Sequence, residues 1–229
     1  MKVVLKIGGS LLYQNSLELE IGLVKRYIDV INKLVDEGNE VSVVVGGGKL
    51  AKILIKASNK LDVSQTYQDI LGVEATRIHA LILVASLKDK AYHFVPRSFD
   101  EIRKALSTNK IVIVGGLQPG QSTNAVASLI AEFWEADLLI NLSNVKKVYD
   151  KNPDEHPDAK PFDQMTYTGL LELINQQKSL PGKYDLFDRV GCEIAQRSKI
   201  TLIFTDGSEP ENIQKIINGD KIGTIIIDS

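Results

Sequence analysis

Short apolar segments alternate along this chain with longer segments in which apolar residues recur with a helical period. Five segments rich in Val, Ile and Leu are predicted as buried strands: 3–7, 41–45, 111–115, 137–142 and 201–205. Helices are predicted from Leu23 to Gly38, around 53–57, and over about 66–87, 122–135, 166–176, 185–198 and 210–217. Strands that alternate with helices form right-handed crossovers, so the pattern predicts an α/β fold with a mainly parallel sheet covered on both faces.

Composition narrows the class of protein. The chain has 229 residues, of which 44% are hydrophobic and 24% charged, as expected for a soluble globular protein. A net charge of −2 argues against binding to duplex nucleic acid, which requires a basic surface. The lone cysteine, Cys192, cannot form an internal disulfide and favours a cytoplasmic location. No signal-peptide pattern precedes the first strand, and no apolar stretch approaches the roughly 20 residues that span a bilayer, so we expect no membrane partner.

Three of the predicted strands end in glycine-rich turns, at 8–9, 46–48 and 115–116. Glycine lets backbone N–H groups approach an anion closely, and a following helix adds the free N–H groups of its N-terminus. One such turn often has a steric role only. Because the carboxyl ends of parallel strands share one edge of the sheet, three turns together predict a site for several phosphate groups. Their spacing matches neither the P-loop nor the dinucleotide fingerprint.

Lys6 lies in an otherwise apolar strand, just before the first glycine pair. A lysine beside phosphate-binding amides can neutralise the charge that develops on a transferred phosphoryl group. At a sheet edge it would instead extend to solvent. The three histidines, at 79, 93 and 156, belong to no recognisable acid–base pair, and no Cys/His metal spacing is present. Phosphoryl transfer suits this set of residues, because an acceptor phosphate is already ionised and requires no catalytic base.

A set of motifs spread over nearly the whole chain carries a family resemblance. In chain order they are LKIGGSLL, VVVGGGKLAK, TYQDILGVEATR, GGLQPGQSTNAVASLIAEF, LINLSNVKKVYDKNP, RSKI and GTIII. Together they resemble the amino acid kinase family and, within it, the archaeal-type uridylate (UMP) kinases. The run at 118–121 is the most specific, because other branches do not generally carry it. The resemblance implies one domain over 1–229, with a three-layer α/β/α fold around a central mainly parallel sheet. It also implies a homohexamer that transfers the γ-phosphoryl group of ATP to UMP, with Mg²⁺ bound mainly through the ATP phosphates.

The resemblance also assigns residues to the acceptor, which the N-terminal part, about 1–125, would mainly hold. Gly47 would face the UMP phosphate, and Asp69 would take the ribose hydroxyls. A loop would enclose the uracil and ribose, and its amide side chains offer the donor and the acceptor that a uracil edge requires. The loop consists of Gly115, Gly116, Leu117, Gln118, Pro119, Gly120 and Gln121, with Thr123 close by.

The remaining implied residues serve catalysis and ATP, which the C-terminal part, about 126–229, would mainly hold. Lys6 would bridge the transferring group, and Asp188 would organise Lys6, although an aspartate in the first turn of a helix also simply complements the helix dipole. The residues near the ATP phosphates would be Lys6, Gly8, Gly9, Ser10, Gly48 and Lys52. The nucleoside-binding residues would be Ser143, Asn144, Tyr149 and Asn152, with Tyr149 packed against the adenine.

Some positions depart from the family pattern. Lys146 and Lys147 stand where relatives often have Asp-Gly, and Asn152 stands where they often have Asp. Ser10 and Glu193 replace lysines that some archaeal members carry. Loss of an acidic residue would weaken contacts with the phosphoryl donor. Loss of a lysine would weaken stabilisation of the leaving group, and the positive charge of Lys146 and Lys147 would partly offset that loss. These changes bear on donor identity and turnover more than on the fold.

Two alternatives stay open at this point. One is a sibling kinase that acts on isopentenyl phosphate, carbamate or an amino-acid carboxylate. Isopentenyl phosphate kinases place a histidine soon after the triple glycine, where this chain has 49–51 as Lys-Leu-Ala, and acetylglutamate-type loops lack the run at 118–121. The other is a nucleotide-binding sensor or storage protein on the same fold with little turnover. The helix at 66–87 has apolar residues on more than one face, which indicates deep burial or a subunit interface.

Overall fold

The computed structural model describes residues 1–13, 17–177 and 186–228. The strands are β1 (Lys2–Ile7), β2 (Glu40–Val45), β3 (Val112–Val114), β4 (Leu138–Ser143), β5 (Val148–Tyr149), β6 (Pro161–Phe162), β7 (Gln164–Thr166), β8 (Thr201–Asp206) and β9 (Thr224–Ile227). The α-helices are α1 (Ile21–Asp36), α2 (Gly48–Asn59), α3 (Gln65–Leu87), α4 (Phe99–Leu106), α5 (Thr123–Phe133), α6 (Tyr167–Gln177), α7 (Arg189–Arg197) and α8 (Glu211–Ile217). Seven strands form one sheet in the order β3-β2-β1-β4-β8-β9-β7, and β5 pairs with β6.

The five predicted strands are confirmed, and they form the parallel centre of the sheet. β1 pairs in parallel with β2 and β4, β2 with β3, and β4 with β8. Their carboxyl ends therefore share one edge, where Gly8, Gly46 and Gly115 follow β1, β2 and β3. Helices cover both faces, so the expected three-layer α/β/α arrangement is confirmed.

Alternate residues of β1 belong to two different cores, because successive side chains of a strand point to opposite faces. Val3, Leu5 and Ile7 pack in the core that α1 and α3 cover. Val4 packs in the other core, together with residues of α5 and α7. By the same alternation Lys6 lies on the α5–α7 side of the sheet. This places the predicted catalytic lysine on the face of the sheet that those two helices cover.

The two strands at one end of the sheet, β9 and β7, were not predicted from the sequence. β9 runs antiparallel to β8, and β7 pairs in parallel with β9. β7 is only 3 residues long and has no buried residue, while β9 alternates buried and half-buried side chains. Such segments lack the continuous apolar run of a central strand, so their sequence resembles that of a loop.

Helix α4 also escaped prediction, although its start carries a sequence signal. The Ser98 hydroxyl accepts a hydrogen bond from the Glu101 N–H at 3.2 Å, and the Glu101 carboxylate accepts one from the Arg97 N–H at 2.7 Å. Serine followed three residues later by glutamate is a capping pattern. The other helices match predicted segments, except that the start of the predicted helix at 185 lies outside the described residues. The observed helix α7 begins at Arg189, with Asp188 as its cap.

The expectation that no apolar stretch approaches spanning length is wrong for one helix. The segment Gln65–Lys90, which contains α3, is long and apolar enough to cross a bilayer by length and composition. In the fold, however, α3 carries eight buried residues and packs in the core against α1. A central helix of a globular fold gives this signal as readily as a membrane span, because both are apolar on several faces. Other residues on the outside of α3, including Ile78 and Leu81, are exposed.

Candidate active site

The first two glycine turns are in direct backbone contact at the carboxyl edge of the sheet. The Gly8 N–H donates to the Leu142 carbonyl at 2.8 Å, and the Gly46 N–H donates to the Ile7 carbonyl at 2.9 Å. A Cβ atom on Gly9 would overlap the carbonyl oxygen of Gly46, and one on Gly48 would overlap that of Gly9. Gly48 also has a φ of +52°, which disfavours a side chain. The two turns thus present main chain only, at the N-terminus of α2, where helix N–H groups are free to bind an anion.

Lys6 and Asn141 occupy adjacent positions on neighbouring strands. The register pairs Lys6 with Val44 on one side and with Asn141 on the other. Asn141 is fully buried, and within the described residues its side-chain nitrogen and oxygen have no hydrogen-bond partner. Buried amides are rarely left unpaired, and Asn141 lies one strand away from the predicted phosphate site. Sequence analysis missed Asn141, which only the strand register brings beside Lys6.

A cavity of about 630 Å³ opens beside the triple-glycine turn, between α2, α3 and the loop that precedes α5. Many of the predicted site residues line this cavity: Gly47, Gly48, Lys52, Asp69, Gly116, Gln118, Gly120, Gln121 and Thr123. The sequence did not predict the other lining residues: Ala51, Ile55, Gly72, Val73, Thr76 and Ser122. A smaller cavity of about 300 Å³, which Arg97 and Phe99 help to line, shares Gln118 and Gln121 with the larger one. The buried side-chain oxygen of Gln121 has no hydrogen-bond partner within the described residues.

Helix α3 holds the loop that follows β3 at three points. The Asp69 carboxylate accepts a hydrogen bond from the Gly120 N–H at 3.0 Å. The Thr76 hydroxyl accepts one from the Gly116 N–H at 2.6 Å and donates to the Val73 carbonyl at 2.5 Å. The Arg77 guanidinium donates to the carbonyls of Gly116 and Leu117, at 3.2 and 3.0 Å. The loop conformation therefore depends on side chains of a helix that precedes it by about forty positions.

Sequence analysis missed Thr76 and Arg77 as part of this site, although a signal was present. Val73 and Thr76 lie four and seven positions after the predicted Asp69, which is the spacing of one helix face. All three line the cavity. Arg77 is a second, charged anchor for the loop. Its guanidinium pairs with Glu74 at 2.5 Å, and only 12% of the Arg77 side chain is exposed. A helical projection from Asp69 would have found Thr76.

Two helix N-termini meet at the same edge of the sheet. The Ser122 hydroxyl caps α5 by accepting a hydrogen bond from the Ala125 N–H at 2.9 Å. The Asp188 carboxylate caps α7 by accepting one from the Gly191 N–H at 2.9 Å, and it also accepts one from the Ser122 hydroxyl. Asp188 thus joins the ends of two helices that cover the Lys6 face of the sheet. Its organising effect on Lys6 stays a prediction.

The predicted ATP residues that lie outside the larger cavity and follow the strands fall into two groups in space. Gly8, Gly9 and Ser10 follow β1 directly, and Ser143 ends the neighbouring strand β4, where its Cα would lie 3.8 Å from a Cβ on Gly8. Asn144, Tyr149 and Asn152 continue from Ser143 along the chain; Asn144 is exposed and Tyr149 is partly buried in β5. The Asn152 side-chain oxygen accepts a hydrogen bond from the Asp154 N–H at 3.1 Å, which forms a turn. None of these seven residues lines the larger cavity within the described part of the chain, whereas Gly48 and Lys52, which were also predicted to bind ATP, do line it.

The structure shows the surroundings of three residues that depart from the family pattern. Lys147 forms an ion pair with Asp163, so a carboxylate offsets part of its added charge. Lys146 is exposed. Glu193 pairs with Arg189 at 2.7 Å on the surface of α7, four positions along the same helix. These contacts give Lys147 and Glu193 surface partners, and exposed pairs of this kind contribute little to stability.

The site combines glycine turns at the carboxyl edge of a parallel sheet, a lysine on the strand before them and a cavity beside them. This combination is typical of a protein that binds phosphorylated ligands. The model of the amino acid kinase family matches residues 1–206, and the chain belongs to this family. A uridylate kinase of Methanobrevibacter smithii is 37% identical over 227 residues, which is 99% of each chain. A uridylate kinase of Hyperthermus butylicus is 40% identical over 224 residues, 98% of this chain and 97% of the other.

The fold comparison gives the same family. The crystal structure of a uridylate kinase from Archaeoglobus fulgidus superposes with a TM-score of 0.87 at 36% identity, covering 99% of this chain and 100% of the other. The family resemblance derived from the sequence is therefore confirmed, as is the fold that it implied. The particular contacts of each predicted site residue with a ligand stay predictions.

Proposed function

We propose that this chain is a uridylate kinase, which transfers the γ-phosphoryl group of ATP to UMP and yields UDP and ADP in pyrimidine nucleotide (CTP and UTP) biosynthesis. Relatives named uridylate kinase match almost the entire chain at 36–40% identity. The observation that carries the proposal is the Asp69–Gly120 hydrogen bond, at 3.0 Å. It brings the proposed ribose-binding carboxylate against the loop proposed to hold the uracil, on the wall of a cavity of about 630 Å³.

The acceptor would bind along this cavity from the glycine turn to the loop. Its phosphate would lie at the N-terminus of α2, where Gly47 offers a main-chain N–H group and Gly48 would face the donor. Its ribose hydroxyls would donate to Asp69. Its base would pair with the side chains of Gln118 and Gln121, which line the cavity. The buried side-chain oxygen of Gln121, which has no hydrogen-bond partner among the residues that the structure describes, suits an N–H donor such as that of the uracil ring.

The donor would bind on the other side of the turns, with Gly8, Gly9 and Ser10 at its phosphates and Ser143 at the start of the nucleoside segment. The transfer then requires in-line positioning and neutralisation of charge more than a covalent nucleophile. The acceptor phosphate oxygen is ionised and attacks without a base. Lys6 would neutralise the charge on the transferring group. Asp188 would keep the two helix N-termini in place around it.

Mg²⁺ is the proposed cofactor, bound chiefly through the phosphates of ATP. Among the described residues there is no cluster of three His, Cys, Asp or Glu side chains that could hold a metal ion on its own. Phosphate oxygens are ligands that Mg²⁺ prefers, so a site that depends on them fits this set of residues. The ion would contribute further neutralisation of the phosphate charge when it is bound.

The outer face of α3 favours assembly with further copies of the chain. Four large apolar side chains on it are exposed: Tyr67 at 65%, Ile70 at 38%, Ile78 at 49% and Leu81 at 55%. They recur at three- to eight-residue intervals, as residues on one side of a helix do. We propose that this face is buried between subunits, that the assembly is a homohexamer, and that the protein is cytoplasmic. Light scattering with Ile78→Glu tests this, because a charge in a buried interface would shift the mass to a smaller species.

A coupled assay of ADP release tests the activity, with UMP, CMP, isopentenyl phosphate and carbamate as acceptors. Release with UMP above all others supports the proposal. Release with isopentenyl phosphate or carbamate indicates a sibling kinase, and release with none indicates a nucleotide-binding sensor. Lys6→Met should abolish most turnover, whereas the matched Lys60→Met, at the exposed C-terminal cap of α2, should not. Equal turnover in the two variants would remove Lys6 from the mechanism.

A further inference from the structure

His79 lies in the middle of α3, fully buried, and touches both glycine-turn segments. Its Nδ1 is 2.8 Å from the carbonyl oxygen of Gly46, in the triple-glycine turn. Its Nε2 is 2.6 Å from the hydroxyl of Tyr13, which directly follows the short 3₁₀ helix Gly9–Leu12 at the first glycine turn. The two rings also make an edge contact, with centroids 5.3 Å apart. A buried chain of hydrogen bonds therefore runs from Tyr13 through His79 to Gly46.

The partners fix the tautomer of the imidazole. A carbonyl oxygen only accepts hydrogen bonds, so Nδ1 carries the proton and donates to Gly46. Nε2 then accepts from the Tyr13 hydroxyl, which remains protonated because burial raises the pKa of Tyr13. Burial lowers the pKa of His79, which keeps the ring neutral near pH 7. Every polar atom of the imidazole is thus satisfied.

The hydrogen bond to Gly46 controls the peptide plane that leads into α2. The described residues contain no cis peptide bond, so the Gly46 carbonyl and the Gly47 N–H point in opposite directions across a rigid plane. Holding the carbonyl against His79 turns the Gly47 N–H away from the imidazole. Gly47 is the N-terminal cap of α2 and lines the larger cavity, and as a glycine it has no side chain with which to cap that helix end. The turn has no side chains of its own to keep this orientation.

We infer that His79 is a positioning residue for phosphoryl transfer: together with Tyr13 it clamps the Gly46 carbonyl and so aims the main chain at 47–48 toward the phosphates. The inference rests on the proposed kinase function of the same site. His79 touches no substrate and acts through the backbone of the turn. A displaced turn would misalign the reacting groups, and misplacement by about 1 Å can reduce a rate about 100-fold.

Two amide variants separate positioning from packing. In His79→Asn the amide nitrogen lies one bond from Cγ, where Nδ1 lay, and can still donate to Gly46. In His79→Gln the amide lies one bond further out, where Nε2 lay, and reaches Tyr13 instead. Glutamine is closer in size to histidine, so a purely space-filling role makes Gln the milder change, whereas positioning makes Asn the milder change.

We expect kcat of His79→Gln to fall at least about tenfold, and kcat of His79→Asn to stay within about threefold of wild type. Tyr13→Phe should lose less than His79→Gln, because the Nδ1 contact survives. Leu83→Ala, one helical turn further along α3 and 1% exposed, is the control. It should lower the melting temperature and leave kcat unchanged at a temperature where all variants are folded. A kcat for Gln equal to or above that for Asn would overturn the inference.

The tautomer gives a readout that is independent of activity. Nitrogen NMR of the protein with ¹⁵N-labelled histidine should show one neutral ring protonated at Nδ1, and this signal should be absent from His79→Asn. His93 and His156 give signals as well, so the His79 signal is the one that His79→Asn lacks. If that signal shows protonation at Nε2, or an imidazolium at pH 7, the clamp is overturned. If the wild-type protein transfers no phosphoryl group to UMP, the proposed function fails instead, and Asn and Gln are then compared by calorimetric affinity for ATP.

Discussion

The Asp69 carboxylate accepts a hydrogen bond from the backbone N–H of Gly120 at 3.0 Å, across 51 positions of sequence. Gly120 has a φ of +73°, a left-handed conformation that glycine adopts without strain. The same helix that carries Asp69 holds Gly116 through Thr76 and Gly46 through His79. One rigid element, α3, therefore sets the separation between the triple-glycine turn and the loop at 115–121.

Replacing Asp69 should weaken the binding of UMP more than it slows the chemical step. Asp69→Ala removes the proposed partner of the ribose hydroxyls and also the tie to Gly120. Hydrogen bonds to a charged group contribute about 1.5–3 kcal/mol, so we expect KM for UMP to rise about 10- to 100-fold. Steady-state kinetics at saturating ATP measure this.

The control for that experiment is Asp62→Asn. Asp62 is exposed in the turn before α3 and has a φ of 53°, which asparagine tolerates well. It should leave KM for UMP unchanged. An unchanged KM in Asp69→Ala would exclude Asp69 from the acceptor site, and a fall in kcat alone would indicate that it only shapes the loop.

A single methyl group at Gly9 should disrupt the site. A Cβ atom there would overlap the main chain of Gly46, so the two turns would have to separate. Overpacking of this kind costs about 1–3 kcal/mol, and displacement of the phosphate-binding amides should reduce turnover severely. Thermal unfolding and ADP release of Gly9→Ala measure the two effects.

The matched glycine is Gly22, an exposed residue in the first turn of α1. A Cβ atom there meets only the Glu20 side chain, at 3.3 Å. Gly22→Ala should raise stability by up to about 1 kcal/mol, because alanine favours a helix over glycine, and should leave activity unchanged. Full activity in Gly9→Ala would show that the turns need no close approach.

The hydrogen bond by which Thr76 holds Gly116 can be tested with valine, which has nearly the shape of threonine but no hydroxyl. Thr76→Val removes the oxygen that accepts from the buried Gly116 N–H, whereas Thr76→Ser keeps it. An unsatisfied buried donor costs about 1–3 kcal/mol, so Val should be destabilised by that amount relative to Ser in chemical denaturation. KM for UMP should rise in Val but not in Ser. Equal stability of the two variants would mean that water or another group satisfies Gly116.

The centre of the fold could be predicted because its strands carry a strong local signal. Segments such as 41–45 and 201–205 are apolar over most of their length, as strands buried on both faces must be. β7 and β9 lie at the end of the sheet, where half-exposed residues need no such run. The signal of α4 was present in Ser98 and Glu101, whereas β7 became a strand only through pairing with β9.

Some residues of the site could be predicted from their own segment of sequence, and others only from the fold. Glycines directly after strands point to main-chain binding, so the turns at 8–9 and 46–48 could be predicted from the sequence alone. Asn141, Thr76 and His79 are harder to find, because the residues beside which they lie in the fold are tens of positions or more away along the chain. Strand register brings Asn141 beside Lys6, and the packing of α3 on the sheet brings His79 to Gly46. The local sequence around each of these residues therefore does not mark it as part of a site.

The buried imidazole of His79 should make stability depend on pH in a defined window. Burial lowers its pKa in the folded protein below the value of 6.5 for an exposed histidine. Below pH 6.5 the unfolded chain therefore binds a proton that the folded protein does not bind, and stability falls as the pH falls. The fall ends once the pH is below the folded pKa, and it can reach about 1.4 kcal/mol for each pH unit within the window.

Other groups also titrate between pH 7 and pH 5, so the informative quantity is the difference between wild type and His79→Asn. Asparagine does not titrate and keeps the donor to Gly46, while the raised pKa of Tyr13 keeps that neighbour neutral throughout the range. The free energy of unfolding, measured in urea at both pH values, should fall further for the wild type than for the variant. Equal losses would mean that His79 does not titrate below its ordinary pKa, and the neutral clamp on Gly46 would then lose its basis.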